Sequence, residues 1–532
     1  MKISKNELKR AKPGFVLGKL GKRLLVHPIY GDPRKDRLNQ NVIANGKSGI
    51  GKSRTFLLPQ IFYNAEKMGN SLVITDTKGE LYNASADFLR KHGYKVHVIN
   101  FQRNGFIKSE RYNPLRYVKN LVDAQSLVNT ILENTSNKSS NSDEMWKNAE
   151  ASYLTALIMY VIKNFEKQHV NLGSVVRFGV LGAHYKKEME FLYHLLPAED
   201  PARLMFDAFG IAEDKTRTGI LIGFSSRMKH FLNQEIIDLT SQNDFDFKSL
   251  VEEKSALFLM LENDDTFSLL PALFFSQLFD FLIQYADSRS DGKLPRHTRF
   301  LLDEFANIGK INKFNSHVSI IRSREISVTI IVQMLSQLED KYPVNEWKEI
   351  IGNCDTHVLL GSMSKETVEY YSQIMGSQTI EARHVGMVQS NPTMPVQQAQ
   401  VEYTKRELMQ IDEIFRLNPD KTIIIQSGRY PTLVEKVQYD QIFRNTKKVD
   451  WHTELTNRTE TYSIPNFDNF FEEISEKLKE SKVNEDLDED EEREEKSEKS
   501  NNLVESIDEN RLNEAIFGNP ESETENEDIL DE

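Results

Sequence analysis

Residues 46–53 read Gly46-Lys-Ser-Gly-Ile-Gly-Lys-Ser53, a complete phosphate-binding loop of the form G-x-x-x-x-G-K-[ST]. Gly46, Gly49 and Gly51 free the backbone to wrap an anion with its N–H groups pointing inward. Lys52 sets a point charge against β- and γ-phosphates, and Ser53 offers a hydroxyl to Mg²⁺. The stretch expected to touch nucleotide is Gly46, Lys47, Ser48, Gly49, Ile50, Gly51, Lys52, Ser53 and Arg54. The flanks fit. Val42-Ile43-Ala44 precedes the loop, and an amphipathic run from Thr55 to Lys67 follows, with its N-terminus toward the phosphates. A chance match in a Gly/Lys-rich loop is the bland alternative, and it does not explain a strand before and a helix after.

A second half of the site lies at Phe300-Leu-Leu-Asp-Glu304, an apolar strand ending in two carboxylates. Asp303 is placed to hold the hydration shell of Mg²⁺, and Glu304 to orient and deprotonate an attacking water. Alone, this pattern is a strand meeting a polar loop. Together with residues 46–53 it predicts an ATP-hydrolysing site with ATP and Mg²⁺ as its cofactors.

The 532-residue chain has room for two or three domains, and 39% hydrophobic residues suit a globular core. Its one cysteine, Cys354, excludes a disulfide framework and a cysteine-rich zinc site, and precedes an apolar run that makes it a buried structural thiol. The histidines lack metal-ligand spacing. No stretch is read as reaching the roughly 20 apolar residues that span a bilayer, and the N-terminus has no apolar core behind its basic residues. The expected location is cytoplasmic, or peripheral at the inner face of the membrane through a partner.

Charge is uneven. Residues 471–532 carry 25 acidic and 7 basic side chains, net −18, which leaves +5 on the rest of a chain whose total is −13. Such a tail cannot bury enough apolar surface to fold alone. It is a solvating appendage or a bait for basic surfaces, with Leu503-Val504 and Ile516-Phe517 as apolar spots.

Strand-like runs recur at 71–76, 95–99, 256–260, 299–303, 326–332, 357–360 and 421–426, with helical stretches between them. They predict an α/β fold with a largely parallel, buried sheet and ligand at the carboxyl ends of the strands. Between residues 118 and 212 the apolar spacing turns helical, at 122–130, 144–163, 186–196 and 201–209. The expected organisation is a basic arm (1–40), a nucleotide-binding domain in two parts (41–117 and 213–445), an all-α insertion (118–212), and a linker with an acidic, disordered tail (446–532). Ser136 to Ser142 reads as a loop, and Met145-Trp146 as part of the insertion's core.

The ordered set of motifs resembles the type IV secretion system coupling proteins, the TraG/TraD-like ATPases of conjugative DNA transfer. The matching pieces are the loop at 46–53, Asp76-Thr-Lys-Gly-Glu-Leu81, Tyr112-Asn-Pro-Leu115, Leu302-Asp-Glu-Phe-Ala306 and Val332-Gln-Met-Leu-Ser-Gln-Leu338. The resemblance implies a RecA-like P-loop fold and a hexameric ring that links a DNA–relaxase substrate to a secretion channel and drives its transfer. It implies that Gln333 senses the γ-phosphate and that Arg322 is the arginine finger given to a neighbouring subunit, with Arg324 as rival. A guanidinium suits that task, being planar, always charged and bidentate. Asp76 and Lys78, after a strand expected beside the phosphate loop, contact nucleotide or cap a helix. Typical members begin with transmembrane helices; here the loop starts 45 residues in, so a separate membrane-anchor protein is expected, with the basic N-terminal segment as its dock. DNA contact would be sequence-blind, with Lys215, Arg217, Arg227 and Lys229 as one candidate cluster. Two alternatives stand: a FtsK/HerA-type DNA translocase or helicase, and a nucleotide-gated recruitment adaptor without motor activity.

Overall fold

Long β-branched runs form strands here because a parallel sheet covered on both faces buries every side chain along its length. The computed structural model describes residues 12–28, 38–103, 105–135, 144–212, 214–262, 267–343, 345–388, 396–443 and 446–488. The described strands are β1 (Gly14–Leu20), β2 (Arg23–Pro28), β3 (Val42–Gly46), β4 (Ser71–Asp76), β5 (Lys95–Asn100), β6 (Ser255–Met260), β7 (Thr298–Leu302), β8 (Ile326–Val332), β9 (Thr356–Gly361), β10 (Ser377–Val388), β11 (Val396–Glu407), β12 (Lys421–Gln426) and β13 (Thr432–Glu435). Eleven of them make one sheet in the order β2-β1-β13-β12-β9-β3-β8-β7-β4-β6-β5, and β10 pairs with β11 as a separate ribbon. From β9 to β5 all neighbours are parallel, whereas β12, β13, β1 and β2 extend the sheet antiparallel. All seven residues of β8 are buried, as a fully covered central strand requires. This is the RecA-like α/β architecture the sequence predicts.

The chain divides into two compact units. The first comprises residues 1–102, 247–271 and 278–455 and holds the sheet; the second comprises 103–246, 272–277 and 456–532. Among the described residues the second unit contains helices and no strands, including Leu121–Thr135, Glu144–Asn164, Leu172–Gly182, Lys186–His194, Pro201–Gly210, Asp214–Met228 and Gln234–Thr240. Its core is aromatic: Tyr160 stacks on Phe178 at 5.4 Å, and Tyr193 on Phe206 at 4.1 Å.

Four expectations need correction. The segment 1–40 is more than a basic arm: residues 14–28 form a hairpin turned at Gly21 (φ 58°), and its Phe15, Val16 and Leu17 enter the core of the sheet unit. Residues 213–246 belong to the helical unit rather than to the sheet unit, because buried Ile220, Phe224 and Met228 pack there. The tail beyond 446 is structured in part. Phe467–Asp488 is a helix whose Phe467, Phe470, Phe471 and Ile474 are buried, with Phe471 stacked on Tyr185 at 4.9 Å. Finally, one helix, Leu269–Asp287, is long and apolar enough to cross a bilayer by length and composition; it is mostly buried within the protein, as core helices are. Residues 1–11, the loop 136–143 and the acidic stretch 489–532 lie outside the described residues.

Candidate nucleotide site

Strand order assembles the site. The phosphate loop follows β3, Gln333 follows β8 and Asp303-Glu304 follows β7, and these three strands are consecutive neighbours. Parallel strands about 4.8 Å apart therefore deliver three motifs, 252 and 29 residues apart in sequence, to one rim of the sheet.

The loop's shape is set by its backbone. Gly49 and Gly51 sit at φ 77° and 88°, where a side chain would strain the turn. The N–H of Lys47 donates to the carbonyl of Gly361 at the end of β9 (2.9 Å), and that of Thr55 to Gly51 (2.8 Å). The helix that follows opens with one π turn, Ser53–Leu57, before α geometry at Leu58–Lys67. Pro59 explains the wide turn, since its ring displaces the carbonyl four residues earlier and supplies no N–H.

Lys52 is buried, and its Nζ lies 2.7 Å from Glu304 Oε1. The amide of Gln333 donates to both oxygens of the same carboxylate at 3.1 and 3.0 Å. Glu304 itself adopts a left-handed backbone (φ 48°), which turns its side chain away from the line of β7. Gln333 is held in turn by Gln337, whose Oε1 accepts from its backbone N–H at 2.9 Å. Thus Lys52, Glu304 and Gln333, three of the four residues expected to act in catalysis, form one hydrogen-bonded set.

Asp303 is 6% exposed, and its Oδ1 is buried without a hydrogen-bond partner. Burial pushes its carboxyl up to about 7, against the pull of Lys52 and with the help of Glu304 and Asp76. A buried carboxylate oxygen left open can accept from the waters of a hydrated cation, so the chemistry here fits Mg²⁺. Ser53, the other residue expected at the metal, donates its hydroxyl to Glu80.

Glu80 belongs to the motif 76–81, yet the sequence assigns it no role, and the position of the preceding strand explains why. Asp76 ends β4, which is separated from β3 by both β8 and β7 and so is not the neighbour the sequence suggests. The Asp76 carboxylate accepts from the N–H groups of Tyr82 (2.9 Å) and Lys78 (3.3 Å), which makes it a cap for the helix Glu80–Lys91. Burial raises it to about 6. Between them, Gly79 is irreplaceable by geometry: its φ is 70°, and a Cβ there would fall 2.3 Å from the Trp451 ring.

Arg322 and Arg324 share the turn Ile321–Arg324 just before β8. Gln333 is at the other end of that strand, about 20 Å away, so neither arginine reaches the site within this chain. Arg324 forms a two-pronged ion pair with Asp287 at 2.8 and 3.1 Å, whereas the Arg322 residue is exposed. Of the proposed DNA cluster, Arg217 bonds the carbonyls of Gly210 and Ala212, and Arg227 bonds Glu150 (3.0 Å) and Thr135 (3.1 Å). Those two arginines staple helices, and Lys215 and Lys229 alone of the four are exposed. Cys354 is buried and its thiol is pushed up by desolvation, as a structural cysteine should be.

A parallel sheet carrying a phosphate loop, a strand-end Asp-Glu and a polar residue on the strand between them defines a RecA-like P-loop protein. The model of the family "Type IV secretory system Conjugative DNA transfer" matches residues 8–506, and the chain belongs to that family. It is similar to Protein VirD4 of Rhizobium radiobacter, 24% identical over 381 residues that cover 69% of this chain and 53% of the relative. It is also similar to the conjugal transfer protein TraG of Escherichia coli, 21% identical over 411 residues, 71% of this chain and 62% of that one. The chain thus spans between about half and two thirds of the length of these relatives. In structure it is similar to the conjugative coupling protein TrwBdeltaN70 in its unbound form (TM-score 0.57, 17% identity, 84% of this chain and 94% of that one). It is likewise similar to TrwB in complex with ADP and Mg²⁺ (TM-score 0.54, 18% identity, 84% and 95%).

Proposed function

We propose that the chain is the Mg²⁺-ATP-dependent coupling protein of a conjugative type IV secretion system. It engages DNA without sequence preference, receives it with its relaxase and accessory proteins, and hands it to the secretion channel. The observation that carries this reading is the single hydrogen-bonded set of Lys52, Glu304 and Gln333 on three adjacent strands. The coupling-protein structure solved with ADP and Mg²⁺ supports the same ligands for this chain.

Each residue has a chemical task. Loop N–H groups from Gly46 to Arg54 cradle the phosphates, and Lys52 offsets charge on the β- and γ-oxygens. Ser53 and Asp303 would hold Mg²⁺, which would supply positive charge to offset the charge on the phosphates. Glu304 orients the attacking water and takes its proton. Gln333 joins Glu304 to β8, so loss of the γ-phosphate is relayed along that strand toward the preceding turn that carries Arg322. Arg322, exposed in the turn Ile321–Arg324, supplies the finger to the next subunit of a hexameric ring. The protein works peripherally at the inner face of the cell membrane, through a partner protein.

Plasmid transfer by donor cells carrying Glu304→Gln tests the motor reading against a recruitment adaptor. A motor loses transfer although the variant still binds nucleotide. Transfer at the wild-type frequency would show that hydrolysis is dispensable and would refute the proposal.

A further inference from the structure

A serine hydroxyl carries one proton and two lone pairs, so the partner of the proton decides where the lone pairs are left. Thr55, on the turn after the phosphate loop, makes the ordinary choice of a hydroxyl beside helical backbone and donates back to the Gly51 carbonyl at 2.8 Å. Ser53 does otherwise. Its hydroxyl donates across to the carboxylate of Glu80, 27 residues on. That carboxylate stands on a turn fixed by two sets of contacts. Asp76 accepts from the N–H groups of Lys78 and Tyr82, which flank Glu80 in the chain. The buried indole of Trp451 lies against Gly79, and the backbone N–H groups of Trp451 and Val449 donate to the side-chain and backbone oxygens of Asn83 at 2.8 and 2.9 Å.

We infer that Glu80 is a positioning residue for the metal: it accepts the hydrogen bond of the Ser53 hydroxyl and so leaves the lone pairs of Ser53 Oγ for Mg²⁺. The inference rests on the reading of residues 46–54 and Asp303 as a Mg²⁺-nucleotide site, and it adds the residue that orients one of the ligands. A hydroxyl that ligates a cation still has its proton to place. A carboxylate on a fixed turn is a strong acceptor for it, and partners of this kind hold a ligand in orientation and raise its basicity. Glu80 is exposed, so water screens its charge. What it supplies is a directed acceptor rather than a field, and a neutral amide oxygen of the same reach can replace it. Without an acceptor there, the Ser53 hydroxyl turns to the loop backbone or to water. The cation must then reorient it, a cost that falls on Mg²⁺ rather than on the nucleotide.

The test is equilibrium binding of a fluorescent, non-hydrolysable ATP analogue to the full chain, in EDTA and across a Mg²⁺ titration, so that turnover plays no part. Wild-type protein should bind the analogue more tightly as Mg²⁺ is added. Glu80→Ala should move the midpoint of that response to at least about tenfold higher Mg²⁺, with no fall in the affinity measured in EDTA. Glu80→Gln, still an acceptor, should stay close to wild type. In a Ser53→Ala background Glu80→Ala should add no further loss, because the two residues act through one hydrogen bond. A wild-type midpoint in Glu80→Ala, a shift as large in Glu80→Gln, or losses that add in the double variant overturns the assignment. A fall in EDTA affinity as large as the Mg²⁺ shift would show only a damaged turn, and overturns it too. Failure of wild type to bind the analogue, or binding indifferent to Mg²⁺, would instead overturn the Mg²⁺-nucleotide site on which it rests.

Discussion

Glu304→Gln should move turnover and affinity in opposite directions. In the structure Lys52 and Glu304 form an ion pair of 2.7 Å, with side chains 8% and 19% exposed. Solvent screening, which erases the value of surface pairs, acts weakly at that burial. A charge-assisted hydrogen bond of this kind has a net value of about 1.5–3 kcal/mol. Phosphate oxygens arriving at Lys52 compete with the carboxylate for the same ammonium. The glutamine keeps an oxygen for the Gln333 amide but carries no charge, so that competition goes. ATP should then bind roughly 10- to 150-fold more tightly. Hydrolysis loses its base and should fall by about 10²- to 10⁴-fold. Both quantities are read from one preparation, with a fluorescent ATP analogue for affinity and phosphate release for turnover. Lost turnover with unchanged or weakened binding would refute the idea that Glu304 and nucleotide share Lys52.

Gly79→Ala should lower stability by about 2–4 kcal/mol, since it adds left-handed strain to a collision with the Trp451 ring; urea denaturation measures it. Arg322→Ala should cut turnover by about 10³-fold with little change in melting temperature, and mixing it with Lys52→Ala subunits should restore part of the activity; Arg324→Ala should instead lower the melting temperature through loss of the Asp287 pair. Lys436 has its ammonium pushed down from 10.5 to about 8, by burial first and Lys47 nearby, against the pull of Asp420. The unfolded chain therefore holds a proton between about pH 8 and 10.5 that the folded protein lacks, so stability rises with pH across that window and the burial cost is full below it. Lys436→Met should melt higher than wild type at pH 7, with the difference closing by pH 10, as thermal melts at several pH values will show.

What the sequence reveals tracks how locally each element is determined. β4, β8 and β12 carry unbroken β-branched runs, because strands inside the sheet need apolar residues at consecutive positions. β1, β2 and β13 lie toward the antiparallel edge, where Lys19, Arg23 and Glu435 interrupt the run and disguise the strands as a basic arm and a loop. The helix Phe467–Asp488 is hidden in the same way: its buried residues are three aromatics and Ile474 near one end, and eight acidic residues are spread along it. The site divides along the same line. Lys52, Asp303, Glu304 and Gln333 each follow the end of a strand in a recognisable motif, so spacing finds them. Glu80 lies inside the motif 76–81, but its contact with Ser53 is set by the fold, and Lys436, which donates to the Ile50 carbonyl, comes from a segment with no motif of its own.

Steady-state ATP hydrolysis by the purified chain, with and without single- and double-stranded DNA, bears most directly on the motor. Turnover should rise with DNA and vanish in both Lys52→Ala and Glu304→Gln. Hydrolysis that ignores DNA of either kind, or that persists in the two variants, would contradict a DNA-coupled ATPase built on Lys52 and Glu304.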